Sequence, residues 1–540
     1  MVKDRVIAVF LLTLAASCCA REHQHGKGEK LGVVHMATSC DVAAQKEFDR
    51  AVALLHSFQF SRAIEGFNAV LREDASCGTA YWGIALSDWS NPFAPGMKDT
   101  SQLQAGRDSA ERGRKLGAKT EREQSYLAAV SKLYSDYEST QQRTRLIAYR
   151  EAMGEVAAKY PKDHEAQIFY ALAIAAAEDP ADKTYAGRLK AGAILEKLFE
   201  EEPAHPGLAH YIILTYEVPA LAGKALAAAR RYSEIAPDAP HALHMPSHTF
   251  TRTGNWQESI DTNIAAAAAA RREGQTAEEL HASDYEIYAY LQTGQDEAAG
   301  RIVNSVWEIA GRFDPKVVIS GAGGPAVGYF ALAAIPARFA LERQDWKQAV
   351  QLTPRETPFP YTDAITWFAR GLGAARLSQA IAANESAIAL KQIRERLLKT
   401  DETYWARQVE IQQVAVVAWA ALAEGKKEEA LGQMKAAAEL EDGTEKSAVT
   451  PGPLAPAREL LAEMLLEMKK PAQALEQFKI TLTKEPGRFR ALYGAARAAQ
   501  LGGSPQEGQK YFAELLKVCA HSDQPGRPEI LEAQKAISQN

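Results

Sequence analysis

His244 and His248 stand one helical turn apart, the spacing that lets two imidazoles on one helix face reach a single ion. They do not stand alone. His210, His244 and Asp284 fall at the same place in three successive helical units, and His241 and His281 share a second place. A third ligand from a neighbouring unit, His210 or Asp284, would complete the usual count for a catalytic zinc or another divalent ion, with copper and manganese as the other candidates. The expected metal set is therefore His210, His244, His248 and Asp284, with Glu217 placed to act as general base on a bound water. A competing reading comes from Pro246, which lacks an amide donor and biases Met245 away from helical geometry. A helix starting only at Pro246 would leave His241 and His244 on a turn, bonded to backbone carbonyls. Histidines also suit a metal-free groove, where they donate to a peptide carboxylate or stack on it.

The elements that must carry these residues are helices. Alanine is abundant, β-branched runs are few, and apolar residues recur at helical spacing, so an all-α fold is expected. With 540 residues the chain is too long for one compact core, which predicts several domains or an elongated repeat array. A net charge of -6 with mixed signs offers no basic footprint, which argues against nucleic acid or an anionic membrane surface as partner. At the N-terminus, Lys3 and Arg5 precede an apolar stretch from Val6 to Ala16, and Ala15-Ala16-Ser17-Cys18 is similar to a lipobox. Residues 1–18 thus read as a signal peptide of an exported, periplasmic protein. Contact with a membrane is expected only through a lipid anchor at Cys18. His23 and His25 fall in the polar tether, 19–40, and read as solvated. No later segment reads as apolar for long enough to cross a membrane.

The helical units have a recognisable frame. Leu243 and Phe250 lie on one helix, Gly254-Asn255-Trp256 makes a turn, and Ser259 and Ala266 lie on a second. Phe60, Ala63 and Phe67 before Tyr81-Trp82-Gly83 repeat the frame, as do Trp346 with Ala349, Lys427 with Ala430, and Pro471 with Ala474, Phe478 and Pro486. This pattern resembles the tetratricopeptide repeat, a helix-turn-helix unit of about 34 residues. The resemblance implies a right-handed α-solenoid of about ten to twelve helix pairs. It divides into an N-terminal solenoid (41–313), a glycine-rich linker (314–329), a C-terminal solenoid (330–522) and a polar tail (523–540). The glycines from Gly321 to Gly324 lack the Lys-Ser/Thr of a phosphate loop, so they read as linker.

In such repeats the second, fifth, ninth and twelfth residues face the concave groove. With Pro206, Pro240 and Leu280 as first residues, the resemblance places His241 and His281 second, and His210, His244 and Asp284 fifth. His248 and Tyr288 fall ninth and Glu217 twelfth, and Arg338 is a further ninth-place residue, set to bind an anion or to pair with a carboxylate on a neighbouring helix. The chain also resembles a group of exported bacterial tetratricopeptide-repeat proteins. That likeness rests on Ser39-Cys40, Ala80-Tyr81-Trp82-Gly83, His205-Pro206-Gly207, the run Pro240 to His248, and Thr450-Pro451-Gly452-Pro453. It departs from the group at Leu214, where an imidazole is common, and at Glu217, where an aspartate is.

Export would favour one disulfide among Cys40, Cys77 and Cys519. Cys40 precedes the first repeat and Cys77 the second, so a Cys40–Cys77 bridge is expected, worth on the order of 3 kcal/mol, with Cys519 free. His56 reads as a residue at a capped helix end and His164 as an exposed helix start. Three function classes fit these observations. The first is a scaffold that binds a peptide or protein in its concave groove; the others are a metal-dependent hydrolase and a metal-binding protein without catalysis. A repeat fold says little about chemistry and no nucleophile–base pair is evident, so the scaffold stands first.

Overall fold

A computed structural model describes residues 28–94, 98–179, 181–316 and 324–538. The expected signal peptide and Cys18, the first part of the tether and the centre of the glycine cluster lie outside them. The chain is an all-α solenoid, and among the described residues there are no strands. Consecutive antiparallel helices stack because each buries a stripe of small residues against its neighbour. Ala63 and Phe67 of the helix Phe60–Glu73 are buried in this way, as are Ala474 and Phe478 of Pro471–Lys484. The two largest apolar clusters follow the chain in order: one runs from Leu31 to Phe250, the other mainly from Val327 to Ala498.

Three boundaries differ from the sequence reading. The tether is packed from Leu31 onward: Leu31 and Met36 are buried, and Val33 N–H donates to Ala204 O at 2.9 Å. The linker is shorter, because the helix Gly324–Glu342 already begins inside it. The tail is not simply polar, since the helix Pro528–Ser538 buries Ile530 and Ala533. In the tether and the tail a few apolar side chains among polar ones suffice to dock the segment. Gly324–Glu342 is also long and apolar enough to cross a membrane. It is a core helix here, with Val327, Ala334, Ala337 and Arg338 buried. A disulfide joins Cys40 to Cys77, with Cα atoms 5.0 Å apart, while Cys519 is buried and free, its thiol pushed up to about 12 by burial.

The feature that shapes the interior is a strap, residues 444–456, laid across the inner face of the helices between Pro206 and Gln292. Tyr285 Oη donates to Ala448 O at 2.9 Å and lies 3.1 Å from Thr450 O. Arg338 binds Asp284 Oδ1 at 2.7 Å, Gly452 O at 3.2 Å and Thr450 Oγ1 at 2.7 Å. Nearby, Trp256 Nε1 donates to Gly487 O at 3.0 Å. Gly254, at φ +72°, lets this turn approach Pro486, whose carbonyl oxygen would stand 2.7 Å from an added Cβ. The inner face is therefore closed, and the residues expected to line an open groove are inside the protein.

Asp284 and Arg338 are both fully buried, burial pushing the Asp284 carboxyl up while Arg338 pulls it down. Arg338→Met, which strands the carboxylate, is expected to cost about 3–5 kcal/mol in urea denaturation. Asp284→Leu/Arg338→Met should recover a large part of that loss. A single variant as stable as the parent would show that the pair does not hold the strap.

Candidate metal centre

His244 and His248 are positioned by a helix that carries on across its proline. Helical segments Pro240–His244 and Pro246–Thr253 flank Met245, which keeps helical angles (φ -54°, ψ -34°) and donates to His241 O at 2.9 Å. Pro246 therefore removes a hydrogen bond without turning the chain, and the two imidazoles share a face. Their Nε2 atoms stand 3.0 Å apart. The helix Thr276–Gln292 brings His281 beside them, its ring centroid 4.4 Å from that of His244 and 6.3 Å from that of His248. One nitrogen from each of the three lies within 4.8 Å of the others.

The protons decide what this cluster can do. His244 Nδ1 stands 2.7 Å from Asn263 Oδ1, and the Asn263 amide is oriented by donating to Ser259 O at 2.7 Å. An amide oxygen only accepts, so His244 Nδ1 carries the proton. His248 Nδ1 stands 2.9 Å from Glu217 Oε1, which also accepts from Lys446. Burial pushes the Glu217 carboxyl up, but His248 and Lys446 together hold it well below the usual carboxylate range. Glu217 is ionised, and His248 Nδ1 is protonated as well. With both Nδ1 atoms committed, both Nε2 atoms present lone pairs to each other at 3.0 Å. His281 Nε2 is buried with no hydrogen-bond partner.

A bridging proton is a poor remedy for facing lone pairs here. Burial first, and the neighbouring imidazoles next, hold His244 and His281 well below 6.5. Burial also lowers His248, although Glu217 opposes it. A metal ion fits better, because neutral imidazole is the ligating form. Two nitrogens each about 2.0–2.1 Å from a tetrahedral zinc-class ion stand about 3.3 Å apart, within a few tenths of the distance seen. Asn263 and Glu217 are the kind of oxygen partner that orients metal-bound histidines through the far nitrogen.

Several expected roles change. Asp284 is not a ligand: Arg338 occupies both its oxygens, at 2.7 and 3.3 Å. His210 faces elsewhere, its Nδ1 donating to His56 O at 2.7 Å and its ring stacked on Tyr232. His281 takes the third place because it projects from the second position of its unit, one turn before Asp284. Glu217 sits behind His248, so it orients a ligand and does not face a bound water as general base. His241 lies between His210 and His244, with its Nδ1 3.4 Å from Glu278 Oε2. Tyr288 is buried against Trp256, and its hydroxyl accepts from Arg488 Nη1 at 3.2 Å. Arg338 pairs with Asp284 and binds no free anion. Two residues of the centre, Asn263 and Lys446, carry no signal in the sequence, because neither lies at a groove position of the matched helices.

A second cluster is a useful contrast. His56 Nε2 is 2.9 Å from Glu165 Oε2, and His56 Nδ1 is 3.0 Å from Tyr211 Oη. His205 Nε2 is 3.0 Å from Glu165 Oε1, and its Nδ1 caps Leu208 N–H at 3.4 Å. Every ring nitrogen is used, so this group is a closed hydrogen-bond network and offers no lone pair to an ion. His56 ends the helix Val42–His56, as expected, and is also part of this buried network. Gly207 is required beside it, since an added Cβ would stand 2.4 Å from His56 Nδ1.

No family model matches the chain, and no curated protein does. Among solved structures it is similar to a human IFIT1 dimer with m7Gppp-AAAA (11% identity, 82% of this chain and 90% of that chain, TM-score 0.35). It is similar also to the APC/C hetero-tetramer Cut9–Hcn1 (11%, 92% and 95%, 0.31) and to yeast Tom70 (11%, 92% and 96%, 0.28). Likeness at these TM-scores carries no functional weight. The class of protein rests on the chain's own features, an all-α solenoid with a buried histidine cluster.

Burial first, and His241 next, hold the His210 imidazole well below 6.5. Above pH 6.5 that ring is neutral in both folded and unfolded chains. As pH falls below 6.5 the unfolded chain takes a proton that the folded chain refuses, so stability drops. The slope from such a group approaches about 1.4 kcal/mol per pH unit. Urea midpoints at about pH 7 and about pH 5.5 should converge in His210→Phe relative to the parent; equal pH dependence would contradict the buried neutral state.

Proposed function

We propose that this is an exported metal-binding solenoid that holds one first-row transition-metal ion through His244, His248 and His281. The observation that carries the reading is the 3.0 Å approach of two Nε2 lone pairs whose opposite nitrogens are both committed to oxygen acceptors. An all-imidazole set suits zinc or copper better than manganese, which favours carboxylate and water ligands. The chemistry such an ion supplies is Lewis acidity or, for copper, electron transfer. The protein's own residues orient the ligands through Asn263 and Glu217 and exclude bulk water with the strap. Export is supported by the signal-like N-terminus and by the Cys40–Cys77 disulfide.

A peptide groove on these same residues has less support. His210, His241, His244, His248 and His281 are each at most 2% exposed, beneath the strap. The hydrolase reading loses its general base, because Glu217 is occupied by His248 and Lys446.

Metal content of the mature protein, purified without chelator or affinity histidines, should be about one zinc or copper ion per chain. His244→Ala/His248→Ala should hold none while remaining folded by circular dichroism. Asn263→Leu should keep the ligands but bind the metal about 10–100-fold more weakly. A parent that takes up neither metal after incubation with zinc or copper would end this reading.

A further inference from the structure

On the other side of the strap lies a cavity of about 440 Å³, within the range of small-molecule sites. Residues distant in the chain build it: Arg252, Phe330, Tyr361, Trp405, Gln412 and Glu485 all line it. One wall is aromatic, with Tyr361 and Trp405 stacked at 3.9 Å and Phe330 beside them. Charged side chains complete the lining. Arg252 extends from the helix that carries His248 and is only 4% exposed. Its Nη1 reaches Glu485 Oε1 at 3.3 Å, whereas its Nε and Nη2 have no hydrogen-bond partner. Glu485 Oε2 and Gln412 Oε1 are likewise buried without one.

A buried guanidinium with an unused Nε/Nη2 edge is the side-on geometry that takes a carboxylate through two parallel N–H···O bonds. Leaving those donors unpaired is costly, and most buried polar groups in folded proteins are paired. We propose that the cavity binds a small organic acid, its carboxylate on the free edge of Arg252 and its apolar or aromatic body against Phe330, Tyr361 and Trp405. Glu485 Oε2 and Gln412 Oε1 set a further preference, since each would accept from an N–H or O–H group on that body. A purely anionic ligand with no apolar part would leave the aromatic wall uncovered. A cation would face the guanidinium, while Asp442 and Glu445 of the lining are already paired with Arg458, Lys484 and Lys183. The site adjoins the histidine centre through Lys446, which lines the cavity, but none of His244, His248 and His281 does.

Three probes of matched shape test this: 3-phenylpropionate, its neutral amide 3-phenylpropanamide, and the cation 3-phenylpropylamine. Calorimetric titration of the mature protein should show the acid binding and the amide and amine binding about tenfold or more weakly. Arg252→Gln should lose the preference for the acid. Phe330→Trp, which fills the cavity and leaves Arg252 in place, should weaken binding of the acid by a similar factor. Both variants should keep the parent's metal content and helical circular dichroism, with Arg252→Gln lowering the thermal midpoint because it leaves Glu485 without its buried partner. Retained metal keeps failure of the metal assignment and failure of this one separable. The proposal is overturned if the acid does not bind at millimolar concentration, if the amide or amine binds as well as the acid, or if folded Arg252→Gln retains the parent's preference.

Discussion

The buried pair of Asp284 and Arg338 is the contact on which the interior depends. It joins the helix Thr276–Gln292 to Gly324–Glu342, and the same guanidinium reaches Thr450 and Gly452 of the strap. An unpaired charge at that depth is strongly unfavourable, so each member commits the other. The consequence reaches the histidines. With the strap drawn down, Tyr285 is held against Ala448, and its ring stacks on His248 with centroids 4.8 Å apart. Lys446, on the same strap, comes down on Glu217, which in turn orients His248. A solenoid whose repeats contact only their neighbours would leave its inner face wet. Here the later half of the chain covers that face, and a row of polar side chains becomes a dry site.

Dryness determines what the histidines are. In water an imidazole titrates near 6.5 and its nitrogens find partners freely. In this interior burial holds His210, His244, His248 and His281 in the neutral form, and each lone pair left over is a liability. The His56–Glu165–His205 cluster resolves the problem with hydrogen bonds to every nitrogen. The His244–His248–His281 cluster does not, because the outer nitrogens of His244 and His248 take the available acceptors, their inner nitrogens face one another, and His281 Nε2 has no partner. Two groups with similar composition and burial thus differ in kind.

Much of the fold was legible because helical periodicity and the small-residue frame are local. Phe60, Ala63, Phe67 and Tyr81-Trp82-Gly83 identify a helix pair with no knowledge of the rest of the chain, and the i,i+4 spacing of His244 and His248 puts them on one face. The third ligand was not legible. His210 and Asp284 sit at the fifth place of the repeat frame and His281 at the second, all three on its groove face. Which of them turns toward the pair depends on what else binds them: Arg338 takes Asp284, and the His56 carbonyl takes His210. Pro246 also misleads from sequence alone, since packing on both sides keeps Met245 helical against its local bias.

From the sequence came the helical class, the repeat frame and the register of the polar residues along it, which follow from short-range spacing, and the pairing of Cys40 with Cys77, which follows from their places at the starts of adjacent repeats. The tertiary structure alone shows that the inner face is closed, that Asn263 and Lys446 belong to the histidine centre, and that Arg252, unpartnered at Nε and Nη2, is among the residues lining a cavity. Those depend on contacts between residues as distant as Glu217 and Lys446 or Arg252 and Glu485. Such contacts form where the solenoid's curvature returns one half of the chain onto the other. Curvature is the sum of small rotations between repeats, a quantity that no single repeat's sequence displays.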